Sequence, residues 1–181
     1  IGDVRYPAKI FQLWSKAELN AIGIYEVITD STNFKDETYY INTNEEYNYA
    51  DNQVTRSWGI ATPKRLEDEN AVDEDGENIL DDDGNQLVNY GLKTKNKRTI
   101  KQQASALLAP TDWYVIKAAE VADYNVPEKI TTFRADVRAK SNEMETQIDA
   151  CTTIEQLETL YTYTTTDGVQ SRPLGEFPKE I

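Results

Sequence analysis

The chain has 181 residues, a formal net charge of −13, 39% hydrophobic residues, 11 tyrosines and no histidine. This length holds one ordinary domain, or two small ones sharing a modest core. The acidity makes nucleic acid and anionic membrane poor partners, because both demand a cationic face. The missing imidazole removes the commonest general base, metal ligand and near-neutral pH switch.

Cys151 is the single cysteine, which rules out an internal disulfide and fits synthesis in a reducing host cytoplasm. No run of about 18 apolar residues predicts a membrane span, and no signal peptide is expected. The first residue is Ile rather than Met, so the natural N-terminus is expected to be processed or to lie upstream.

In chain order, Ser15-Lys-Ala-Glu18 has the form of a capping box: the Ser oxygen accepts from the backbone three residues on, and the Glu reaches back. It predicts a short helix from Lys16 to Ile22, stapled by Leu13 or Trp14 and stopped at Gly23. The β-branched and aromatic run Ile24–Ile28 predicts a strand, and Thr38–Ile41 a second one. Glu46–Tyr49 and Gln53–Trp58 flank the polar pair Asp51-Asn52, a hairpin signal. Tyrosine suits such a thin sheet, because it combines a large apolar body with a wet hydroxyl.

Residues 67–85 include ten acidic side chains, with Asp75-Gly76 and Asp83-Gly84 eight residues apart and the apolar pairs Ile79-Leu80 and Leu87-Val88 after them. The segment reads as a projecting hairpin or a solvated loop. An EF-hand alignment on either glycine puts Ala71 or Ile79 at the first ligand position, where an oxygen donor is needed; a looser surface cation site stays open. The basic run Lys93, Lys95, Lys97, Arg98 and Lys101 balances this acidity locally.

From Lys97 the period becomes helical. Ile100, Ala104, Leu107 and Leu108 form one face, broken at Pro110. Thr111 or Asp112 offers an N-cap for a helix with Trp113, Ile116 and Ala119 on one side. Pro127 opens a third helix with the stripe Val126, Ile130, Phe133, Val137, Met144 and Ile148, interrupted at Lys140. Thr152-Thr-Ile-Glu155 caps a fourth. Residues 162–181 lack a period and read as an extended arm with anchors at Leu174, Phe177 and Ile181.

The expected fold class is α+β: a short helix and small antiparallel N-terminal sheet, then a helical hairpin or three-helix unit and an extended arm. The corresponding segments are residues 1–66, an acidic excursion at 67–92, a helical domain at 93–161 and the arm at 162–181. No nucleophile–base pair, phosphate-cradling loop, cofactor motif or metal-ligand spacing is found, and Cys151 has no His to activate it. The chain therefore reads as a non-enzyme without cofactors. Arg134 and Arg138 lie four apart on one helix face, as intrahelical partners or as a recognition face for a partner's carboxylates.

Leu107-Leu-Ala-Pro-Thr-Asp-Trp113, then Val126-Pro127, then Phe133-Arg134-x-x-Val137-Arg138, resembles phage tail assembly chaperone and tail-fibre-assembly proteins over residues 100–150. The resemblance implies a phage tail-associated protein that binds tail, fibre or baseplate proteins, with self-association left open. Two roles follow: a structural part retained in the virion tail, or an assembly chaperone absent from the finished particle. Candidate partner-binding residues are Arg134, Arg138, Leu174, Phe177 and Ile181. In physical terms the motif is expected to bury Trp113 against Phe133 and lock the helices together.

Overall fold

A computed structural model describes residues 5–179, which form an α+β fold divided into two compact units that meet in sequence at Pro63 and Lys64.

The first unit opens with α1 (Ile10–Leu13) and α2 (Lys16–Ala21). The Ser15–Glu18 capping box is formed in both directions, and the Ile24 N–H returns to the Leu19 carbonyl to end the helix. Five strands follow: β1 (Val27–Thr29), β2 (Tyr40–Ile41), β3 (Glu46–Ala50), β4 (Gln53–Ser57) and β5 (Thr62–Pro63). The β3–β4 hairpin turns at Asp51-Asn52, with φ of 52° and 59°, the left-handed pair that matches strand twist. β1 joins β4 in parallel, whereas the sequence suggested only antiparallel neighbours. A 23-residue connection between Asp30 and Asn52 carries the chain across, as parallel pairing requires.

No residue of the β1-β4-β3 sheet is buried. Its stability comes from ring contacts over a thin ribbon: Tyr25 lies 4.5 Å from Tyr49, Phe34 lies 4.8 Å from Trp58, and the Arg56 guanidinium covers Trp58 at 4.4 Å. The buried apolar residues of this unit are Ile10, Tyr39, Tyr40 and Ala61.

In the second unit, β6 (Glu69–Asn70) and β7 (Val88–Asn89) close the acidic segment. Helices α3 (Leu92–Leu108), α4 (Asp112–Glu120), α5 (Glu128–Ala150) and α6 (Ile154–Tyr161) follow. α3 packs on α5 through Ala104, Phe133 and Val137, with Leu107, Leu108 and Phe177 against them. Met144, Ile148, Leu157 and Leu174 are fully buried. Ser141, not Lys140, continues the α5 face between Val137 and Met144: it is buried and its hydroxyl donates to Glu145. That position is four residues after Val137, so the stripe never leaves helical register.

The β6–β7 segment is docked onto the start of α3 by Asp68, whose carboxylate accepts from the Gly91 N–H at 2.8 Å and the Thr94 hydroxyl at 2.9 Å. The Gly91 donor chiefly holds the Asp68 carboxyl below its ordinary range. A Cβ on Gly91 would lie 2.3 Å from the Glu67 carbonyl oxygen, so the close approach requires glycine.

Pro110 ends α3 as expected, and the next helix begins at Asp112. A 3-10 turn at Ala109–Thr111 carries α3 almost directly into α4. Thr111 precedes α4 without a side-chain cap, because its hydroxyl donates to the Leu108 carbonyl instead. The end of the chain is not a free arm as far as it is described. β8 (Thr164–Thr166) and β9 (Val169–Ser171) form a hairpin, and the following residues return to the helices.

Candidate partner-binding surface

The α3–α4 junction is held by Arg134, which is 8% exposed. Its guanidinium donates to the Leu108 carbonyl at 3.0 Å and to the Thr111 hydroxyl at 2.5 Å, and pairs with Asp112 at 2.8 Å. Arg134 and the Thr111 hydroxyl together satisfy the Leu108 carbonyl at the end of α3. The Thr-Asp and Phe-Arg halves of the motif are thus one clamp.

The clamp holds α4 outward. None of its nine residues is buried. Trp113 is 50% exposed, Val115 45% and Ile116 56%, and Val121 beyond the helix is also open to solvent. The expectation that Trp113 plugs the helices is therefore corrected. Phe133 is in the core, but Trp113 stacks on Tyr114 at 3.8 Å and forms one wall of a surface cavity of about 210 Å³. Leu107 and Pro110 supply another wall, and Lys129, Ile130 and Phe133 the floor and rim. Four successive apolar residues, Trp113 to Ile116, cannot share one buried stripe; that was the sequence signal for an exposed face.

Of the other candidate residues, Arg138 donates to the Arg134 carbonyl at 3.4 Å. Leu174 is fully buried, and Phe177 is half-buried on the α3–α5 cluster. Ile181 lies outside the described residues. Of the four described, Arg134 and Leu174 are buried and do not present themselves to a partner.

The acidic segment has its own order. Val72-Asp-x-Asp-Gly76 and Leu80-Asp-x-Asp-Gly84 are copies eight residues apart. In each, the first Asp folds its own turn: Asp73 accepts from the Asp75 and Glu77 N–H groups, and Asp81 from those of Asp83 and Asn85. The three extended arms pair in a closed triangle. The Ile79 N–H reaches the Ala71 carbonyl, Leu87 reaches Ile79, and Ala71 reaches Leu87, all at 2.8–2.9 Å. The Gln86 side-chain amide sits over these carbonyls, 2.8 Å from Ala71 and Leu87 and 3.2 Å from Ile79. Closure removes the open edges that a two-stranded ribbon would expose. The internal eight-residue repeat was legible in the sequence as a turn pair, but its threefold closure was not.

Among the described residues no group of three or more His, Cys, Asp or Glu side chains is arranged to hold a metal, and no helix is long and apolar enough to cross a membrane. Cys151 is buried, and loss of hydration raises its pKa, so its reactive thiolate is disfavoured. The described surface includes a cavity lined by Trp113, Tyr114 and Phe133 beside the exposed apolar residues of α4. Comparison with protein-family models, curated proteins and solved structures returns no match to this chain.

Proposed function

We propose that this chain is a bacteriophage tail-associated structural protein that acts by contact rather than catalysis, binding tail-fibre or baseplate subunits in the virion through α4 and the Trp113 cavity. The observation that carries this reading is α4 itself: a helix with Trp113, Val115 and Ile116 open to water and no buried residue. Trp113 and Ile116, three apart on α4, share a face; exposed large apolar side chains side by side on a highly charged chain mark a protein interface, and tryptophan is favoured at interface hot spots. The ordered Thr111-Asp112-Trp113 and Phe133-Arg134-x-x-Val137-Arg138 motif supplies the phage context.

A second reading is an assembly chaperone that leaves before the particle is complete. It is favoured by residues 172–179, which fold back on their own helices instead of reaching toward a permanent neighbour. Quantitative mass spectrometry of purified particles separates the two: stoichiometric recovery is expected for the structural role, and complete absence would transfer the function to assembly. In either case the double variant Trp113→Ser, Ile116→Ser should lose at least tenfold in recovery of fibre or baseplate subunits while retaining its circular dichroism. Undiminished recovery would remove α4 from the interface.

A further inference from the structure

The last described residues form a strap with two differently held parts. Leu174 is its anchor: fully buried, with its N–H on the Leu160 carbonyl at 3.1 Å. Gly175 then turns the chain in the left-handed region, φ 76°, against the end of the Lys140 side chain. Beyond it, no backbone hydrogen bond ties residues 176–179 to α3 or α5 among the described residues. Phe177 is seated by its ring alone, on Ala104, Phe133 and Val137.

Shallow recesses flank the seat. One recess of about 410 Å³ opens beside Phe177 along Ala106 and Leu107. Another of about 520 Å³ runs under Pro178 and Lys179 between Glu128, Asp136 and Phe133. Leu107 is shared with the Trp113 cavity by the first recess, and Lys129 and Phe133 by the second; together the recesses form the groove that holds the strap.

We propose that this groove is a peptide-binding site whose resident Phe177-Pro178-Lys179 is a stand-in, displaced by an extended aromatic–Pro–basic segment of a partner chain. The resident segment displays the required chemistry. An aromatic ring meets the α3–α5 cluster, and a proline keeps the backbone extended without presenting an N–H that the groove leaves unpaired. Lys179 follows in a recess that Glu128, Lys129 and Asp136 also line, in a protein whose net charge of −13 favours a basic partner. This inference rests on the partner-binding reading of the unit and adds the class of segment it takes.

The test titrates the peptide Gly-Glu-Phe-Pro-Lys-Glu-Ile, the sequence of residues 175–181, into the isotope-labelled full chain and into full-chain Phe177→Ala. Amide shifts at Ala106, Leu107 and Phe133 report binding. The vacated seat should bind at least tenfold more tightly than the occupied one, and a peptide with Ala for Phe should bind neither. Equal affinity for both chains, or no shift in a Phe177→Ala protein that keeps its circular dichroism, would overturn the proposal. Hydrogen exchange on the unaltered chain is a second arm: the Glu176 and Phe177 amides should exchange at least a hundredfold faster than Leu174, and equal protection would show a fixed strap. Absence of the chain from phage particles and fibre complexes would remove the phage reading and leave this result untouched.

Discussion

Replacing Arg134 with Ala isolates the clamp at the α3–α4 junction. The side chain donates to the Leu108 carbonyl and the Thr111 hydroxyl from a buried position. A hydrogen bond from a charged donor is worth about 1.5 kcal/mol or more, so these two contribute about 3 kcal/mol. The ion pair with Asp112 adds little, because that carboxylate is half exposed and solvent screens it. Asp112→Asn should therefore cost under about 1 kcal/mol. Arg134→Lys should fall between the two, because both bonds leave one guanidinium nitrogen, Nη1, and the lysine side chain carries its ammonium one atom short of that position. Urea unfolding followed by far-UV circular dichroism reports chiefly on α3 to α6, the longest helices. An Arg134→Ala loss below about 1 kcal/mol, or an Asp112→Asn loss equal to it, would refute the assignment of stability to the buried hydrogen bonds.

Gly91→Ala forces a Cβ into the backbone carbonyls of Leu66 and Glu67 and should cost about 3 kcal/mol, read as a lowered urea midpoint; a change within error would mean that the 66–67 backbone yields freely. Gln86→Glu sets a carboxylate against the carbonyls of Ala71, Ile79 and Leu87. Its folded pKa should rise, so the variant's deficit should be smallest in acid and grow as pH rises through that value; a deficit independent of pH from 4 to 7 would contradict the geometry. Asp81 behaves in the opposite sense. Donors from Asn85 lead in lowering its pKa, so its turn should loosen only as pH falls through that lowered value. Asp81→Asn should abolish that transition in the Asn85 amide shift, and persistence of the transition would place the titration elsewhere.

Local rules carried well where a few neighbouring residues supply both donor and acceptor. The Ser15–Glu18 box and the Asp51-Asn52 turn are satisfied within the segment that encodes them. The α6 cap shifts by one residue, to Thr153, whose hydroxyl oxygen accepts from the Gln156 N–H, while the Gln156 side-chain oxygen accepts from the Thr152 N–H. Trp113 shows where such rules end. Its apolar mass argues for burial, yet it stands at a junction held by Arg134, 24 positions along the chain from Pro110. The candidate residues Arg134 and Leu174 were legible as special positions, but not as inward-facing ones.

Composition and periodicity alone determined the α+β class, the acidic surface, the stripe on α5 and the absence of imidazole chemistry, because each depends only on residue type and spacing. Tertiary structure alone decided the parallel β1–β4 pair, the closed triangle over Gln86, the outward setting of α4 and the folded-back strap. Each of these joins groups far apart in sequence, and a partner's distance along the chain leaves no periodic trace in either segment.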